Sequence, residues 1–534
     1  MCVPADGNAG DLKHHTDKYQ PSPVSTIDGV PALEYMQRLA VRDMSSHDPD
    51  ARYNGLFPSL AKEASLFSGK ADIYSRWGLN DTTTIVCHNG TSITFNNIAL
   101  VGANLTNITS GADLYRDFVL TGGKGPIPST SAIYRAAERG YEGNFSTGGF
   151  PKPVSAAIGG DIAGFLPDVA GFEDTAVLVI NSFSSSVNIT ELVTGTLSTI
   201  PLDEQSRVSL DFLKKAKAAG RTRLVIDLQG NGGGFIPSLG SVYFNLFPGQ
   251  TLPIQSQLRV HQQMAEMLLH TPQSNTTNTT ILGYMFGIYR QLNGSPFPSP
   301  SALLGPVTTE FGNTTNPAVW DTNYYLNPAI INYTLPWSAP PFVPENITVL
   351  TDGICASCCA TFVGVLAHTH GVRTVVIGGR PLLKPMQAVG HTKGGPNSNL
   401  GGLPAAVNRS IAFGADLVVP TPGPIRLATS LTGRSNPSWF DGISVNLGNM
   451  APVGDKPDAV PNQFRYEAAN CKLFFTWEMA RDIKAIWRKV IEVSWKGGKC
   501  VEGSTTEKGG KMGGIPEYNV GVEDKYTLGG PGAV

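Results

Sequence analysis

The sequence predicts an α/β fold for the central part of the chain, because strand and helix patterns alternate there. Four short apolar runs have the length of buried strands: residues 175–180, 224–226, 347–350 and 373–377. Residues 210–219 show a helical pattern that ends at Gly220, a common helix terminator. Alternation of this kind is typical of an α/β core.

A smaller, β-rich unit precedes the predicted core. Residues 21–40 have the pattern of a strand, an Asp-Gly turn and a helix. Residues 84–87 and 92–95 flank a His-Asn-Gly turn and indicate a hairpin. Residues 122–160 are rich in Gly, Pro and Ser, which predicts a linker or a lid.

Near the C-terminus, apolar side chains recur at helical spacing and predict a helix that docks on the core. These residues are Ile483, Ile486, Trp487, Val490 and Ile491, followed by Ser494. A stripe that binds a partner is the alternative. From residue 497 the chain is rich in Gly and Lys, which predicts disorder.

These patterns divide the chain into six parts. They are a disordered leader at 1–18, a β-rich module at 19–115, a linker or lid at 116–170, a core at 171–440 with an insertion at 251–344, a docking-helix region at 441–496 and a disordered tail at 497–534.

Composition narrows the function. A formal net charge of −2 without a long basic run argues against a nucleic-acid partner. No apolar run reaches the length of a membrane span, so we expect no membrane insertion. The 60 glycines and 39 prolines indicate long ordered loops. Nothing in the composition specifies an oligomeric state.

Glycosylation sequons are dense, which favours a secreted glycoprotein. They fall at Asn80, Asn89, Asn104, Asn107, Asn144, Asn188, Asn275, Asn278, Asn293, Asn313, Asn332, Asn346 and Asn408. Residues 1–20 are polar and contain no apolar signal-peptide segment. A secreted character without a signal peptide suggests that the N-terminus is incomplete.

The cysteines favour disulfides over a metal site. Cys355 and Cys358 form a single C-x-x-C without the second pair that a zinc site requires, and no H-E-x-x-H occurs. Disulfides suit a secreted protein, and we expect Cys471 to pair with Cys500. Because the chain has 7 cysteines, at least one remains unpaired within a monomer. We therefore expect neither a metal nor an organic cofactor.

The segment TDGICASCCATF, residues 351–362, contains one serine, Ser357, between a strand pattern and a helix pattern. A serine at such a junction can project its Oγ at the helix N-terminus, where free N–H groups stabilise a developing oxyanion. It can equally be an ordinary helix N-cap. This segment alone leaves both interpretations open.

A second turn follows the strand at 224–226 and reads Asp227-Leu-Gln-Gly-Asn-Gly-Gly-Gly. Glycines directly after a buried strand let the backbone approach a ligand closely. Phe235 stands where a dinucleotide-binding fingerprint requires its third glycine, and no Gly-Lys-Ser/Thr follows for a P-loop. A structural tight turn is the remaining alternative.

Together the two turns resemble the tail-specific (C-terminal-processing) serine peptidases, peptidase family 41, in the fungal branch similar to chlamydial protease-like activity factor. The matching segments, in family order, are D-P-D-A-R-Y-N at 48–54, D-L-Q-G-N-G-G-G at 227–234, T-D-G-I-C-A-S-C-C-A at 351–360, V-V-I-G-G-R-P at 375–381, P-M-Q-A-V-G at 385–390 and F-R-Y-E-A-A-N-C-K-L-F-F-T at 464–476. The resemblance implies a crotonase-like ββα superhelix as the catalytic core and a PDZ-like N-terminal module.

The resemblance also implies site roles. Ser357 corresponds to the nucleophile, and the backbone N–H groups of Gly233, Gly234 and Cys358 correspond to the oxyanion hole. Asp227 and Asn231 would brace the glycine turn, unless they are ordinary turn residues. Polypeptide is the implied substrate.

A serine nucleophile needs a base, and the family offers two solutions. Lys384 occupies the place of the lysine base used by some relatives, although it would need burial to lower its pKa. Other relatives use a histidine in an upstream Asp-Gly-His-Phe segment, which this chain lacks.

Other histidines are weaker candidates for the base. His14 and His15 lie in the leader but carry no motif, and His391 lies close in sequence. His368 and His370 fit the end of the helix after the serine, and Asp416 is a positional guess for a carboxylate.

The sequence thus predicts a secreted, fungal-type serine endopeptidase that acts through an acyl-enzyme on Ser357. The alternative is a peptide-binding pseudopeptidase that has lost its base. A crotonase-like acyl-CoA enzyme is disfavoured, because its chemistry gives no reason for the serine turn.

Overall fold

The computed structural model describes residues 22–63, 80–97, 105–120, 145, 148–157, 160–183, 204–261, 265, 269, 289–309, 312–320, 335–395, 397–399, 444–446, 448–451, 459–506 and 510–513. The predicted leader, His14, His15 and Asp416 lie outside these residues, as does most of the predicted tail.

The described strands are β1 Val24–Ile27, β2 Val30–Pro31, β3 Thr82–Cys87, β4 Ser92–Asn96, β5 Ser155–Ala156, β6 Ile162–Phe165, β7 Thr175–Ile180, β8 Arg223–Asp227, β9 Gln255–Leu258, β10 Tyr289–Arg290, β11 Val307–Thr309, β12 Gly312–Thr314, β13 Ala318–Trp320, β14 Ile347–Thr351, β15 Arg373–Ile377, β16 Asn397–Asn399, β17 Ser444–Asn446, β18 Gly448–Ala451 and β19 Cys471–Leu473.

The described α-helices are α1 Ala32–Asp43, α2 Pro49–Gly55, α3 Leu60–Glu63, α4 Gly111–Leu114, α5 Glu204–Ala218, α6 Ile236–Leu246, α7 Pro300–Leu304, α8 Cys358–Gly364 and α9 Ile483–Trp495. Single π-helical turns at Tyr115–Leu120 and Val365–Thr369 continue α4 and α8, and short 3₁₀ turns lie at Pro344–Asn346 and Asn462–Phe464.

A seven-stranded sheet forms the core, in the order β19-β15-β14-β8-β7-β6-β5. The first five strands in that order run parallel to one another. Strand β6 pairs antiparallel with β7, and β5 pairs antiparallel with β6. The strands are almost entirely buried, because helices cover both faces of the sheet, which is why they read as continuous Val/Ile/Leu runs. The predicted mixed α/β core is confirmed.

The core begins earlier than the sequence indicates. β5 and β6 lie within the segments assigned to a linker or lid, yet both belong to the central sheet. Their small residues hide them: a side chain at Gly164 would overlap the Phe212 ring of α5. A glycine that admits a close neighbour weakens the strand pattern in the sequence without weakening the strand's place in the sheet.

Helix α9 packs on the face of the sheet opposite α5 and α6, as the apolar stripe predicts. The stripe residues are all buried. The Trp487 indole donates a hydrogen bond of 2.8 Å to Asp227 Oδ2, at the end of β8. The helix therefore supports the base of the glycine turn from behind.

The predicted disorder from residue 497 is wrong for the residues described there. The predicted disulfide Cys471–Cys500 is present and ties this segment to β19. Val501 N–H also donates to the Lys472 carbonyl at 2.8 Å. Composition alone missed this order because one covalent bond and a few backbone contacts hold an otherwise Gly- and Lys-rich segment.

The N-terminal module is a four-stranded sheet in the order β2-β1-β3-β4, with α1 packed against it. The predicted hairpin is confirmed, since β3 and β4 pair antiparallel with Thr84 opposite Thr94. Helix α2 follows and connects the module to the core.

The predicted insertion forms a second sheet, in the order β10-β13-β9-β18. Strand β18 lies in the chain between β15 and β19 of the central sheet and pairs with β9, so the insertion is anchored by a later part of the chain. Trp320 of β13 and Met450 of β18 bring this sheet to the candidate site.

Candidate active site

The two turns singled out in the sequence leave adjacent strands at the same edge of the central sheet. β8 and β14 are parallel neighbours, and Asp227 at the end of β8 lies opposite Leu350. The chain continues from these positions into the glycine turn and the serine turn. Adjacent carboxyl ends of parallel strands bring the two turns together.

Side chains then fasten the two turns to each other. Asp352 Oδ2 accepts the Gly230 N–H at 2.9 Å, while its Oδ1 accepts the Ile354 N–H at 3.1 Å. The backbone carbonyl of Asn231 also accepts the Ala356 N–H at 3.2 Å. The Asn231 side chain braces the glycine turn as predicted, because its Nδ2 donates to the Ile180 carbonyl at 2.9 Å and its Oδ1 accepts the Gly233 N–H at 2.8 Å. Asp352 performs a similar role from the other turn.

Asp227 braces the glycine turn from a fully buried position. Its carboxylate accepts hydrogen bonds from the Trp487 indole and from the backbone and side chain of Gln229. Burial raises the pKa of Asp227 to about 6, although these hydrogen bonds oppose the shift. This carboxylate is committed to structure, as the family resemblance implies.

Ser357 has an unusual backbone for a serine. Its φ of 52° and ψ of −120° lie outside the regions that non-glycine residues favour. Its N–H donates to the Thr392 carbonyl at 2.8 Å, and helix α8 begins at the next residue. A strained residue of this kind persists only where its surroundings hold it, and such residues cluster at functional sites.

The Ser357 hydroxyl does not cap the helix that it precedes. No other described residue forms a hydrogen bond with this half-buried hydroxyl. The N-cap interpretation of this serine is therefore wrong, and its Oγ is available for chemistry.

The glycines of the first turn touch the serine turn directly. A Cβ added at Gly233 would lie 2.7 Å from the Ser357 Cβ and 3.0 Å from the Cys358 nitrogen. Gly233 also has a φ of 104°, which side chains rarely adopt. The close approach expected of these glycines is thus confirmed, and the group approached is the serine turn.

The oxyanion-hole prediction needs one correction. The Gly233 N–H donates to Asn231 Oδ1 at 2.8 Å, so this donor is already used. Among the described residues, neither the Gly234 N–H nor the Cys358 N–H has an acceptor. Cys358 is the first residue of α8, where N–H groups lack intrahelical partners. The available donors beside Ser357 are therefore those of Gly234 and Cys358.

Ser357 opens on a cavity of about 280 Å³. Its apolar walls are Phe235, Ile236, Pro237, Trp320 and Met450, and Gly234, Cys358, Thr361, Gly394, Gly395 and Asn397 complete it. None of these lining residues, all in the described part of the chain, is a His, Lys, Asp or Glu. The cavity combines a hydroxyl, free backbone donors and room for an apolar side chain.

The predicted base is not at this cavity. Lys384 lies exposed in the loop after β15 and is not among the cavity's lining residues. His391 directly precedes Thr392, whose carbonyl accepts the Ser357 N–H. The His391 Nδ1, however, already accepts the Thr392 N–H at 2.8 Å. Its Nε2 lies 3.4 Å from the Ser45 hydroxyl.

The other predicted histidines belong to the end of the serine helix, as expected. His370 stacks on Phe247 with ring centroids 3.8 Å apart, and its Nε2 lies 2.9 Å from the Tyr243 hydroxyl. These contacts assign His370 to packing.

Sequence reasoning missed a charged cluster behind the same helix. The buried Lys393 ammonium donates to Gln387 Oε1 at 2.7 Å and lies 3.4 Å from Glu467 Oε2. Glu467 Oε1 lies 2.8 Å from His368 Nε2. Burial lowers the pKa of Lys393, and the neighbouring His368 and Lys393 lower the pKa of Glu467. The cluster lines a second cavity of about 270 Å³.

The D-P-D-A-R-Y-N motif lies at helix α2, and its side chains bind loops of the core. Asn54 Nδ2 donates to the Asp352 and Ile377 carbonyls at 2.7 and 2.9 Å. Asp50 Oδ1 accepts the Arg380 N–H at 2.7 Å and its guanidinium at 3.0 Å. The motif thus attaches the N-terminal module to the loops that surround the serine turn.

Metal-binding clusters and membrane spans are both absent from the described residues. No group of three or more His, Cys, Asp or Glu side chains there could hold a metal ion. No helix in that part of the chain is both long and apolar enough to cross a bilayer.

Two family models and several curated proteins match this chain. Residues 174–384 match peptidase family S41, within the predicted core at 171–440, and residues 8–106 match the CPAF-like PDZ domain. Peptidase S41 family protein phomP1' of Diaporthe leptostromiformis is 27% identical to this chain. The alignment covers 90% of this chain and 78% of that protein. Peptidase S41 family protein ustP of Aspergillus flavus is 27% identical, and the alignment covers 85% of this chain and 98% of that protein.

Two solved structures align with most of this chain. Mature CPAF is 12% identical with a TM-score of 0.39, covering 91% of this chain and 80% of that chain. Mature CPAF complexed with lactacystin is 13% identical with a TM-score of 0.38, covering 83% and 72%. Along this chain, a match to the CPAF-like PDZ domain is thus followed by a match to peptidase family S41.

Proposed function

We propose that this chain is a serine endopeptidase that hydrolyses peptide bonds through an acyl-enzyme on Ser357. The observation that carries the proposal is the state of the serine. Its hydroxyl has no partner among the described residues and lies in a strained turn at the edge of a cavity. Two unpaired backbone donors, from Gly234 and Cys358, accompany it.

The proposed chemistry follows from these groups. Ser357 Oγ attacks the carbonyl carbon of a peptide bond and loses its proton to a base. The carbonyl oxygen becomes an oxyanion that accepts hydrogen bonds from Gly234 and Cys358. Each such donor typically contributes about 10²- to 10³-fold in rate. Collapse expels the amine as leaving group, and water then releases the acyl group from the serine.

The substrate of this proposal is a polypeptide. The cavity beside Ser357 has apolar walls, including Trp320 and Met450, which suit an apolar side chain next to the scissile bond. The backbone of Gly394 and Gly395 lines the same cavity and can offer hydrogen bonds to an extended peptide.

A peptide-binding pseudopeptidase is the second candidate, and a specific observation favours it. The described residues that line the Ser357 cavity include no side chain that can accept the serine proton. Lys384 remains a predicted base, although it is exposed and does not line the Ser357 cavity. The two candidates therefore differ in one measurable property, the reactivity of Ser357.

We also propose that the protein is secreted and glycosylated. Sequon residues Asn80, Asn89, Asn107, Asn293 and Asn313 are exposed, as an oligosaccharyltransferase requires. The Cys355–Cys359 and Cys471–Cys500 disulfides suit an oxidising compartment. Mass mapping of glycans on protein from the native source would test this; unmodified asparagines at all these sites would contradict it.

Labelling with a fluorophosphonate probe tests the proposed peptidase. The probe bonds covalently to an activated serine, so the full chain should label on Ser357 and Ser357→Ala should not. Ser110→Ala is the matched control, because Ser110 caps the exposed helix α4 and should leave labelling unchanged.

Cleavage of an unfolded protein substrate provides the second readout. The peptidase predicts cleavage by the wild type that Ser357→Ala removes. If the wild type neither labels nor cleaves but binds unfolded peptide, the pseudopeptidase replaces the peptidase.

A further inference from the structure

A disulfide encloses the candidate serine. The Cys355 and Cys359 sulfurs are bonded, with their Cα atoms 5.3 Å apart, and Ser357 lies midway between them in sequence. Both cysteines are fully buried. The bond closes a loop with a sequence separation of 4, and a disulfide stabilises a fold less when its loop is shorter. Stability of the whole fold therefore explains this bond poorly.

Extension of helix α8 towards its N-terminus would give the turn an alternative conformation. Helix α8 begins at Cys358, and Ala356 just upstream is a strong helix former. One more helical turn would relieve the positive φ of Ser357. It would also use the Cys358 N–H in an intrahelical hydrogen bond, which removes an oxyanion donor.

We propose that the Cys355–Cys359 disulfide is a positioning element that holds Ser357 in its strained turn, an inference that rests on the proposed peptidase function. Acylation then depends on the oxidised state of the pair. A dithiol reductant would convert the disulfide into two thiols and itself become a cyclic disulfide. The reduced turn would be free to relax, and Ser357 would lose its alignment.

The neighbouring thiol is kept from disturbing the pair. Cys358 is the free cysteine among the described residues, and its Sγ donates to the Gly234 carbonyl at 2.9 Å. Thiol–disulfide exchange requires a thiolate, and burial raises the pKa of Cys358 to about 12. Cys358 therefore stays protonated beside a disulfide that it could otherwise attack.

The molecule supplies a matched control disulfide. Cys471–Cys500 has a sequence separation of 29 and joins β19 to the C-terminal segment. Its longer loop predicts a larger contribution to stability than that of Cys355–Cys359. It lies at the edge strand of the central sheet and does not enclose the serine turn, so its removal should leave Ser357 aligned.

The experiment compares two double variants of the full chain: a clamp variant, Cys355→Ala with Cys359→Ala, and a control variant, Cys471→Ala with Cys500→Ala. Peptide mapping first verifies that Cys355 is bonded to Cys359 in the wild type. The readouts are the second-order rate of fluorophosphonate labelling per folded molecule, the thermal midpoint, and hydrogen exchange of the peptide that contains residues 351–362.

The clamp variant should label about 10- to 100-fold more slowly, the loss typical of a misplaced catalytic group. Its exchange at 351–362 should rise, while its thermal midpoint falls less than that of the control. The control should label within about threefold of the wild type. Equal labelling and equal exchange in the clamp variant and wild type would overturn the proposal, as would a different cysteine pairing.

Two further results are interpretable. If the clamp variant does not fold, native wild type is treated with a graded reductant and alkylated; labelling must fall in step with alkylation of Cys355 and Cys359, and unchanged labelling overturns the proposal. If the oxidised wild type does not label at all, the peptidase proposal fails. The exchange data then still decide whether the disulfide holds the turn.

Discussion

Two cavities flank helix α8, and they contain opposite kinds of chemistry. The serine cavity has a free hydroxyl and free backbone donors, and its described lining has no ionisable side chain apart from the buried Cys358 thiol. The second cavity contains the Lys393, Glu467 and His368 cluster. Thr361 and Met450 line both cavities, so the two sites are neighbours.

The partners of these groups explain the difference. The Lys393 ammonium donates to Gln387 Oε1, to the Arg465 backbone carbonyl and to Glu467 Oε2, so its three donors are committed to these acceptors. Lys393 follows Thr392, whose carbonyl binds the Ser357 N–H. The charged cavity therefore supports the segment that binds the serine backbone, whereas the Ser357 hydroxyl and the donors beside it have no partner among the described residues. Ionisable groups close to a candidate nucleophile need not be its acid or base.

The largest expected effect concerns the backbone of the serine cavity. Gly234→Ala would overlap the Phe183 carbonyl and strain a φ of 141°, and Gly233→Ala would press on Ser357. We expect each to destabilise the fold by more than about 3 kcal/mol and to lower fluorophosphonate labelling by about 100-fold. Urea unfolding and labelling rates measure both.

Gly232→Ala is the control within the same turn. Nothing lies within 4 Å of a Cβ added there, and its φ is not in the left-handed region. We expect a change of about 0.5 kcal/mol or less and unaltered labelling. A large loss in Gly232→Ala, or none in Gly234→Ala, would show that the close contacts of Gly233 and Gly234 do not shape this turn.

The next effect separates stability from reactivity in the charged cavity. Lys393→Met removes the ammonium donor to the Arg465 backbone carbonyl and one of the two donors to Gln387 Oε1, which keeps the Glu467 N–H; the loss should cost about 2 to 3 kcal/mol of stability. Labelling per folded molecule should change less than about threefold. The control is Lys489→Met, which breaks a half-exposed pair with Glu492 and should cost about 0.5 kcal/mol.

A labelling loss of about 100-fold or more in folded Lys393→Met would remove the distinction between the two cavities. Lys393 would then have to be counted among the reactive groups.

The third prediction is a pH dependence at the base of the glycine turn. Burial raises the pKa of Asp227 to about 6, so the folded chain keeps a proton that the unfolded chain has lost above about pH 4. This group's contribution to stability therefore falls as pH rises from about 4 to about 6, by about 3 kcal/mol in total. Asp227→Asn, which mimics the protonated form, should lack that loss.

Chemical denaturation of both proteins across this pH range isolates the Asp227 contribution. Trp487 fluorescence is a second readout, because its indole donates to Asp227. Parallel stability curves for the two proteins would contradict the prediction.

The smallest effect is expected at Lys384. Its exposed position predicts that Lys384→Ala labels within about threefold of the wild type. If Lys384 is instead the base that the sequence suggests, labelling will fall by about 10²-fold or more. Exposed Lys217→Ala serves as a control for the loss of a surface charge.

The sequence predicted those parts of the site that are contiguous in the chain. Ser357, the glycine turn and the apolar stripe of α9 each carry a local pattern, so each could be found. The Lys393–Glu467 contact could not, because 74 residues separate the two and neither belongs to a recognisable spacing.

The missed features share a physical cause. The strands β5 and β6 were not predicted, because small residues weaken their strand pattern. In β6, a side chain at Gly164 would overlap the Phe212 ring. The use of the Gly233 N–H by Asn231 depends on a side-chain orientation that a motif does not contain. Local propensity predicts helices and strands. The contacts that decide whether a polar group has a hydrogen-bond partner arise only in the folded chain.

The acyl-enzyme proposal is tested most directly by rapid acid quenching of the protein with an activated ester substrate. We expect the peptide containing residues 351–362 to become heavier by the acyl group on Ser357, with an initial burst of leaving group near one equivalent. Ser357→Ala should show neither. Turnover by the wild type with no acyl group on Ser357 would contradict the account.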